Sequence, residues 1–120
     1  MKPSYGSSLV KVSEAQFQKA VIELAHRLNW RVAHFHKVQN KQGRWLTPVA
    51  ADGGGWPDLV LVKGPHLIFA ELKADGKQLQ LEQAIWKDAL EKAGAEFHCW
   101  KPADWNSIEY TLGGSWVAAA

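Results

Sequence analysis

The sequence predicts a mixed α/β fold built around one sheet, with elements in the order helix, three strands, helix, strand. Three observations predict it. Apolar residues spaced three and four apart follow Ser13, a second helical stripe follows Gln78, and short apolar runs of strand length lie between and after them.

A chain of 120 residues fits one compact domain, expected here over 1–120 with a core at about 13–105. Its 47% hydrophobic content, with seven tryptophans, suffices for a packed interior. Residues 1–12 read as a loose lead-in. Ser13 then opens the first helix as N-cap, with Gln16 three residues on completing a capping box. Phe17, Ala20, Val21, Leu24, Ala25 and Leu28 form its buried stripe, and Asn29 stops it. Trp30 to Lys37 alternates as a strand. Residues 38–55 form a long polar connection ending in Gly53-Gly54-Gly55, and loops of that length are usually functional or disordered.

Two strands follow, Asp58 to Lys63 and His66 to Lys73, joined by a Gly64-Pro65 turn. Both are apolar on both faces, which predicts a central pair covered by helices on each side. Gln78 to Ala93 is the second helix, with Leu79, Trp86, Leu90 and Ala93 in its stripe and Gly94 as C-cap. Ala95 to Trp100 is the fourth strand. Pro102 opens a short helical stretch near Asp104 to Tyr110, and Gly113-Gly114 begins a frayed tail.

The longest apolar runs, Leu59 to Val62 and Leu67 to Ala70, are far below the roughly 20 residues that span a bilayer, so no membrane association is expected. Lys2 leads into Pro3, Ser4 and Gly6 and not into a signal-peptide core. The single cysteine, Cys99, gives no internal disulfide and suits a reducing cytoplasm. Net charge is only +2, but residues 1–50 carry +6 and residues 51–120 carry −4. A phosphate-binding surface beside a cation-binding centre would divide charge this way, as would ordinary surface composition.

The hairpin carries the chemistry. With Gly64-Pro65 as the turn, Lys63 pairs with His66, and the same register sets Asp58 opposite Glu71 on one face. Lys73 joins that face by the strand's period of two. Val60, Val62, Leu67 and Phe69 complete it and read as core. Facing carboxylates destabilise a sheet, and burying unpaired charge costs several kcal/mol. A divalent cation removes both penalties, and hard oxygen ligands suit Mg²⁺ or Mn²⁺. The alternative is a solvated hairpin end with Lys73 as a simple ion-pair partner. Glu14 continues the apolar stripe of the first helix, so it is expected to reach the sheet, although an N-terminal acid also suits the helix dipole. Gln83 puts an amide on the inward stripe of the second helix.

Trp56-Pro57-Asp58, twelve intervening residues and Glu71-Leu72-Lys73 resemble the PD-(D/E)XK nuclease signature. The Ser13-Glu14 helix start, Gly55-Trp56-Pro57-Asp58 and Gln83-Ala84-Ile85-Trp86 resemble the VRR-NUC branch, the virus-type replication-repair nucleases. The likeness runs from about Ser13 to Trp105 and implies a restriction-endonuclease-like fold with an α-β-β-β-α-β core. It implies a metal held by Asp58, Glu71 and the Leu72 main-chain carbonyl, with Lys73 beside the attacking water. It further implies Glu14 at a second metal or its water shell, and Gln83 steadying the lysine or the scissile phosphate. Small members resemble phage enzymes that cut branched DNA, including four-way junctions, as homodimers. A place in the cytosol of a bacterium or its phage-infected counterpart follows from the same likeness.

DNA contacts are expected from Lys37, Lys41 and Arg44 on the long connection, which confer affinity without sequence preference. Trp56 or Trp45 could stack on an unpaired base, a core position being the alternative for each. A zinc site among His34, His36, His98 and Cys99 lacks CxxC or HxxxH spacing. The competing functions are a nuclease for nicks, flaps or plain duplex, and a non-catalytic DNA-binding module.

Overall fold

The computed structural model describes residues 12–114. Apart from Val12, Gly113 and Gly114, the expected lead-in and tail lie outside the described residues.

Helix α1 spans Glu14–Arg27. Ser13 caps it as the sequence indicates: Gln16 N–H donates to Ser13 Oγ and Ser13 N–H donates to Gln16 Oε1, both at 3.0 Å. Phe17, Val21, Leu24 and Ala25 are buried along its inner face, each large apolar side chain contributing about 1.5–3 kcal/mol by leaving water. Asn29 follows at φ +69°, in the left-handed region that asparagine tolerates, and turns the chain into β1, Arg31–His34.

The polar connection is not structureless. It holds a two-stranded hairpin of β2, Val38–Gln39, and β3, Trp45–Leu46, followed by a 3₁₀ turn at Gly53–Gly55. Asn40 Oδ1 accepts from the main-chain N–H groups of Gln42 and Arg44, which builds the tip. Strands of two residues are too short to leave a periodicity signal.

β4, Leu59–Lys63, and β5, His66–Leu72, pair antiparallel from Leu59↔Ala70 to Lys63↔His66, the register expected from a Gly64-Pro65 turn. Gly64 adopts φ +57° there. After β5 come α2, Leu81–Lys92, and β6, Glu96–Trp100, which lies parallel to β5. A parallel neighbour requires such a crossover. The four-stranded sheet has the order β1-β4-β5-β6, and α3, Trp105–Leu112, closes the described chain.

One expectation is reversed. Val60, Val62, Leu67 and Phe69 are not the core: Val62 and Leu67 are exposed, and the other two are half-buried. The core is the opposite face, where Leu59, Leu61, Ile68, Ala70 and Leu72 pack with α1 and α3. The two faces are equally apolar in sequence, and the helices decide which is sealed. The core also continues past residue 105, since Ile108 and Leu112 are fully buried and Trp30 Nε1 donates to the Leu112 carbonyl at 2.9 Å. Helix α2 starts three residues later than expected, and its buried residue is Gln83, while Leu81 and Ile85 stand in solvent. Ala93 and Gly94 (φ +90°) end it as the sequence indicates.

Candidate active site

Asp58 and Glu71 lie one step beyond the last ladder pair of β4 and β5, in the register that sets them opposite each other. Phe35 N–H donates to the Asp58 carbonyl at 2.8 Å, so the end of β1 holds Asp58 from the other side. Asp58 Oδ2 accepts the Leu72 N–H at 2.8 Å. That bond ties the two strand ends together through the aspartate side chain. Among the described residues, Asp58, Glu71, Lys73 and Gln83 are the charged or amide side chains that the fold buries, and Glu71 is 0% exposed.

Each has a cause for being there. Gln83 Nε2 donates to Glu71 Oε2 at 3.1 Å, while its Oε1 accepts the Gln80 N–H at 2.9 Å and secures the first turn of α2. The start of α2 can come this close because Gly55 lies against it: a Cβ at Gly55 would stand 2.3 Å from the Glu82 carbonyl carbon. Lys73 Nζ lies 3.9 Å from Glu71 Oε2.

Lys37 does more than the sequence suggests. Its Nζ donates to Glu71 Oε2 at 2.7 Å and lies 3.2 Å from Asp58 Oδ1. Expected as a DNA contact on an exposed loop, it sits between the two carboxylates. Strand parity carries the signal: Phe35 faces Asp58 across the β1–β4 pairing, and Lys37 is two residues further on the same side. The signal is unreadable until β1 is known to pair with β4.

Electrostatics follow from this packing. Burial, with Asp58 adding to it, pushes the Glu71 carboxyl up to about 7, and Lys37 and Lys73 oppose the rise. Burial alone would lower the Lys37 ammonium, but Asp58, Glu71 and, from further away, Glu14 outweigh it and hold its pKa above the ordinary value. Glu71 Oε1 is buried with no hydrogen-bond partner among the described residues. An unsatisfied buried carboxylate oxygen is costly and calls for a cation or a donor.

A cavity opens at this end of the sheet, lined by Glu14, Lys37, Asp58, Lys73 and Gln83, among others. The site is therefore at the strand ends and not on a sheet face, which is how α1, packed on one face, and α2, beyond the other, both contribute. Glu14 is exposed at the cavity rim and not turned inward with the apolar stripe. His34 and His36, set aside in the sequence for lack of metal spacing, also line the cavity, with ring centroids 4.1 Å apart and Gln18 Nε2 3.4 Å from His34 Nδ1. Burial, followed by the charge of His36, lowers the His34 pKa.

The remaining expected contacts are elsewhere. Lys41 and Arg44 are exposed on the β2–β3 hairpin, and Arg44 forms an ion pair with Glu82 at the start of α2. Trp56, expected as a DNA contact with a core position as the alternative, is half-buried and packs among other rings. Its ring meets Phe35, Phe69 and Trp86 in T-shaped contacts at 5.9, 5.6 and 5.0 Å.

The two carboxylates, Asp58 and Glu71, are hard oxygen donors. Among the described residues no cluster of three His, Cys, Asp or Glu side chains exists. An orphaned Glu71 oxygen and two carboxylates already sharing one ammonium are the donor chemistry that a hard divalent ion takes.

No family model matches the sequence, and no curated protein matches it. Among solved structures, one described as "VRR_NUC domain" superposes with a TM-score of 0.59 and 19% identity, covering 84% of this chain and 95% of that one. The chain has the fold of that domain. No helix among the described residues is long and apolar enough to cross a membrane.

Proposed function

We propose that this chain, folded as a VRR_NUC domain, is a divalent-metal-dependent endonuclease that hydrolyses phosphodiester bonds in DNA. The observation that carries the reading is the pair of buried carboxylates: Asp58 lines the cavity with Lys73 and Gln83, and Glu71 is held by Lys37 and Gln83 of the same cavity. Such burial of like charge is otherwise hard to sustain.

Asp58, Glu71 and the Leu72 carbonyl would hold Mg²⁺ or Mn²⁺, and Glu14 at the rim would hold a second ion or its water shell. When bound, the ion supplies acidity to the attacking water and neutralises charge growing on the phosphoryl oxygens. Leu72 N–H fixes the rotamer of Asp58, and Gln83 fixes that of Glu71. Lys73, in the cavity wall, would either take the proton of the attacking water or counter the charge of the transition state. Lys41 and Arg44 on the β2–β3 hairpin, with Lys37 at the cavity, add positive charge along the path of a phosphate backbone.

The substrate we favour is branched DNA, four-way junctions included, cut by a homodimer. The exposed apolar side chains Leu81 and Ile85 of α2 are surface that a second copy would cover. The test is a panel of labelled duplex, flap, splayed and four-way DNA with Mg²⁺, Mn²⁺ or EDTA. Metal-dependent cutting, strongest on the branched members and lost in Asp58→Ala and Lys73→Ala, is expected. DNA bound but never cut would leave a binding module instead.

A further inference from the structure

Among the described tryptophans, Trp30, Trp100 and Trp105 are buried, and Trp56 and Trp86 are packed against each other. Trp45 is 54% exposed. It stacks on no other ring among the described residues, yet it lines the same cavity as Asp58, Lys37 and Lys73. An indole left in water forgoes the burial that stabilises the others, so its position needs another reason.

That position is built. Trp45 sits in β3 opposite Gln39, in a hairpin whose tip is fixed by Asn40 Oδ1 and by Gln39 Nε2 donating to the Gly43 carbonyl at 2.8 Å. The Arg44–Glu82 ion pair anchors the same hairpin to α2. The ring is therefore held on a supported element in the cavity that Asp58 lines. The cavity around it also presents the amides of Gln78 and Gln80 and the ammonium of Lys77. A flat apolar face, amides and cations together match the base face, the base edge and the phosphate of one nucleotide.

We infer that Trp45 is a stacking platform for an unpaired nucleobase next to the scissile phosphate, so that the cavity selects DNA with a nucleotide outside the helical stack. The inference rests on the nuclease reading and names its substrate class. A base in an intact duplex reaches the indole only by leaving its neighbours, at a cost of a few kcal/mol, whereas an unpaired base is free of most of it. Discrimination then comes from the substrate's own pairing and needs no reading of sequence.

Two DNAs of equal length test this, one fully paired and one with a single unpaired 2-aminopurine nucleotide, each bound to and cut by wild type, Trp45→Phe and Trp45→Ala. Wild type is expected to prefer the unpaired substrate and to quench the 2-aminopurine. Trp45→Ala is expected to lose about 10-fold of that preference, and the quenching, with the larger loss on the unpaired substrate. Trp45→Phe, which keeps a ring, retains most of both. Should the alanine variant not fold, Trp45→Leu against Trp45→Phe makes the same comparison. A wild type that cuts DNA without preferring the unpaired form, or a ringless variant that keeps the preference, overturns the stacking site and leaves the nuclease reading standing. A wild type that neither binds nor cuts overturns both.

Discussion

Glu71 meets Lys37 through one carboxylate oxygen only: Oε2 lies 2.7 Å from Lys37 Nζ, while Oε1 is buried without a partner among the described residues. With Asp58 Oδ1 also 3.2 Å from the same ammonium, one cation serves two carboxylates. Burial, with the charge of Asp58 added, outweighs Lys37 and the more distant Lys73 and pushes Glu71 up to about 7.

The first prediction concerns pH. An ordinary glutamate titrates at 4.5, so between that value and about 7 the folded chain keeps a proton on Glu71 that the unfolded chain has released. The stability contributed by this proton is fully present below 4.5 and lost as pH rises to about 7. A metal needs the ionised form. Mn²⁺ affinity should therefore rise about tenfold per pH unit in this window and level off above it, with a proton released on binding below the plateau. Calorimetry in buffers of different ionisation enthalpy measures both.

Lys37 competes with the metal for the same oxygens. Compared on the plateau above each protein's own Glu71 titration, which loss of Lys37 moves upward, Lys37→Met should bind Mn²⁺ about tenfold more tightly, the scale of one charged hydrogen bond of about 1.5 kcal/mol. The metal-free variant should also melt at a lower temperature, since two buried carboxylates lose their partner.

Gln83 has two roles that substitutions separate. Gln83→Glu keeps an oxygen for the Gln80 N–H but sets a carboxylate against Glu71 in place of a donor. Cutting should fall about 10–100-fold, the usual effect of disturbing a group that orients a metal ligand. Circular dichroism should show α2 still formed.

Gly55→Ala tests how the cavity is assembled. Its Cβ would meet the backbone of Glu82 and Gln83 at 2.3–2.7 Å, and backbone at a helix start cannot yield cheaply. A loss of about 1–3 kcal/mol in denaturant titration is expected, together with weakened cutting as Gln83 is pushed from Glu71.

Much of this site was legible before the fold. The turn at Gly64-Pro65 sets the hairpin register, and the register alone puts Asp58 opposite Glu71. Gln83 was legible too, since an amide on an apolar stripe stands out. Lys37 was not, because its place depends on β1 pairing with β4 across 24 intervening residues of connection and turn between His34 and Leu59. Nor could the sequence decide which face of β4 and β5 is sealed. Leu61 and Val60 are equally apolar, and only the packing of α1 and α3 separates them. The β2–β3 hairpin escaped because its strands are held by the Asn40 side chain and not by an apolar pattern.

The most direct test is a calorimetric titration of Mn²⁺ into wild type, Asp58→Asn and Glu71→Gln at pH 8, with melting curves confirming that each is folded. Wild type should take up the ion, and either amide variant should lose about 10²-fold or more in affinity, as expected when a charged ligand becomes neutral. Equal affinity in all three folded proteins would contradict the assignment of Asp58 and Glu71 as the metal's ligands.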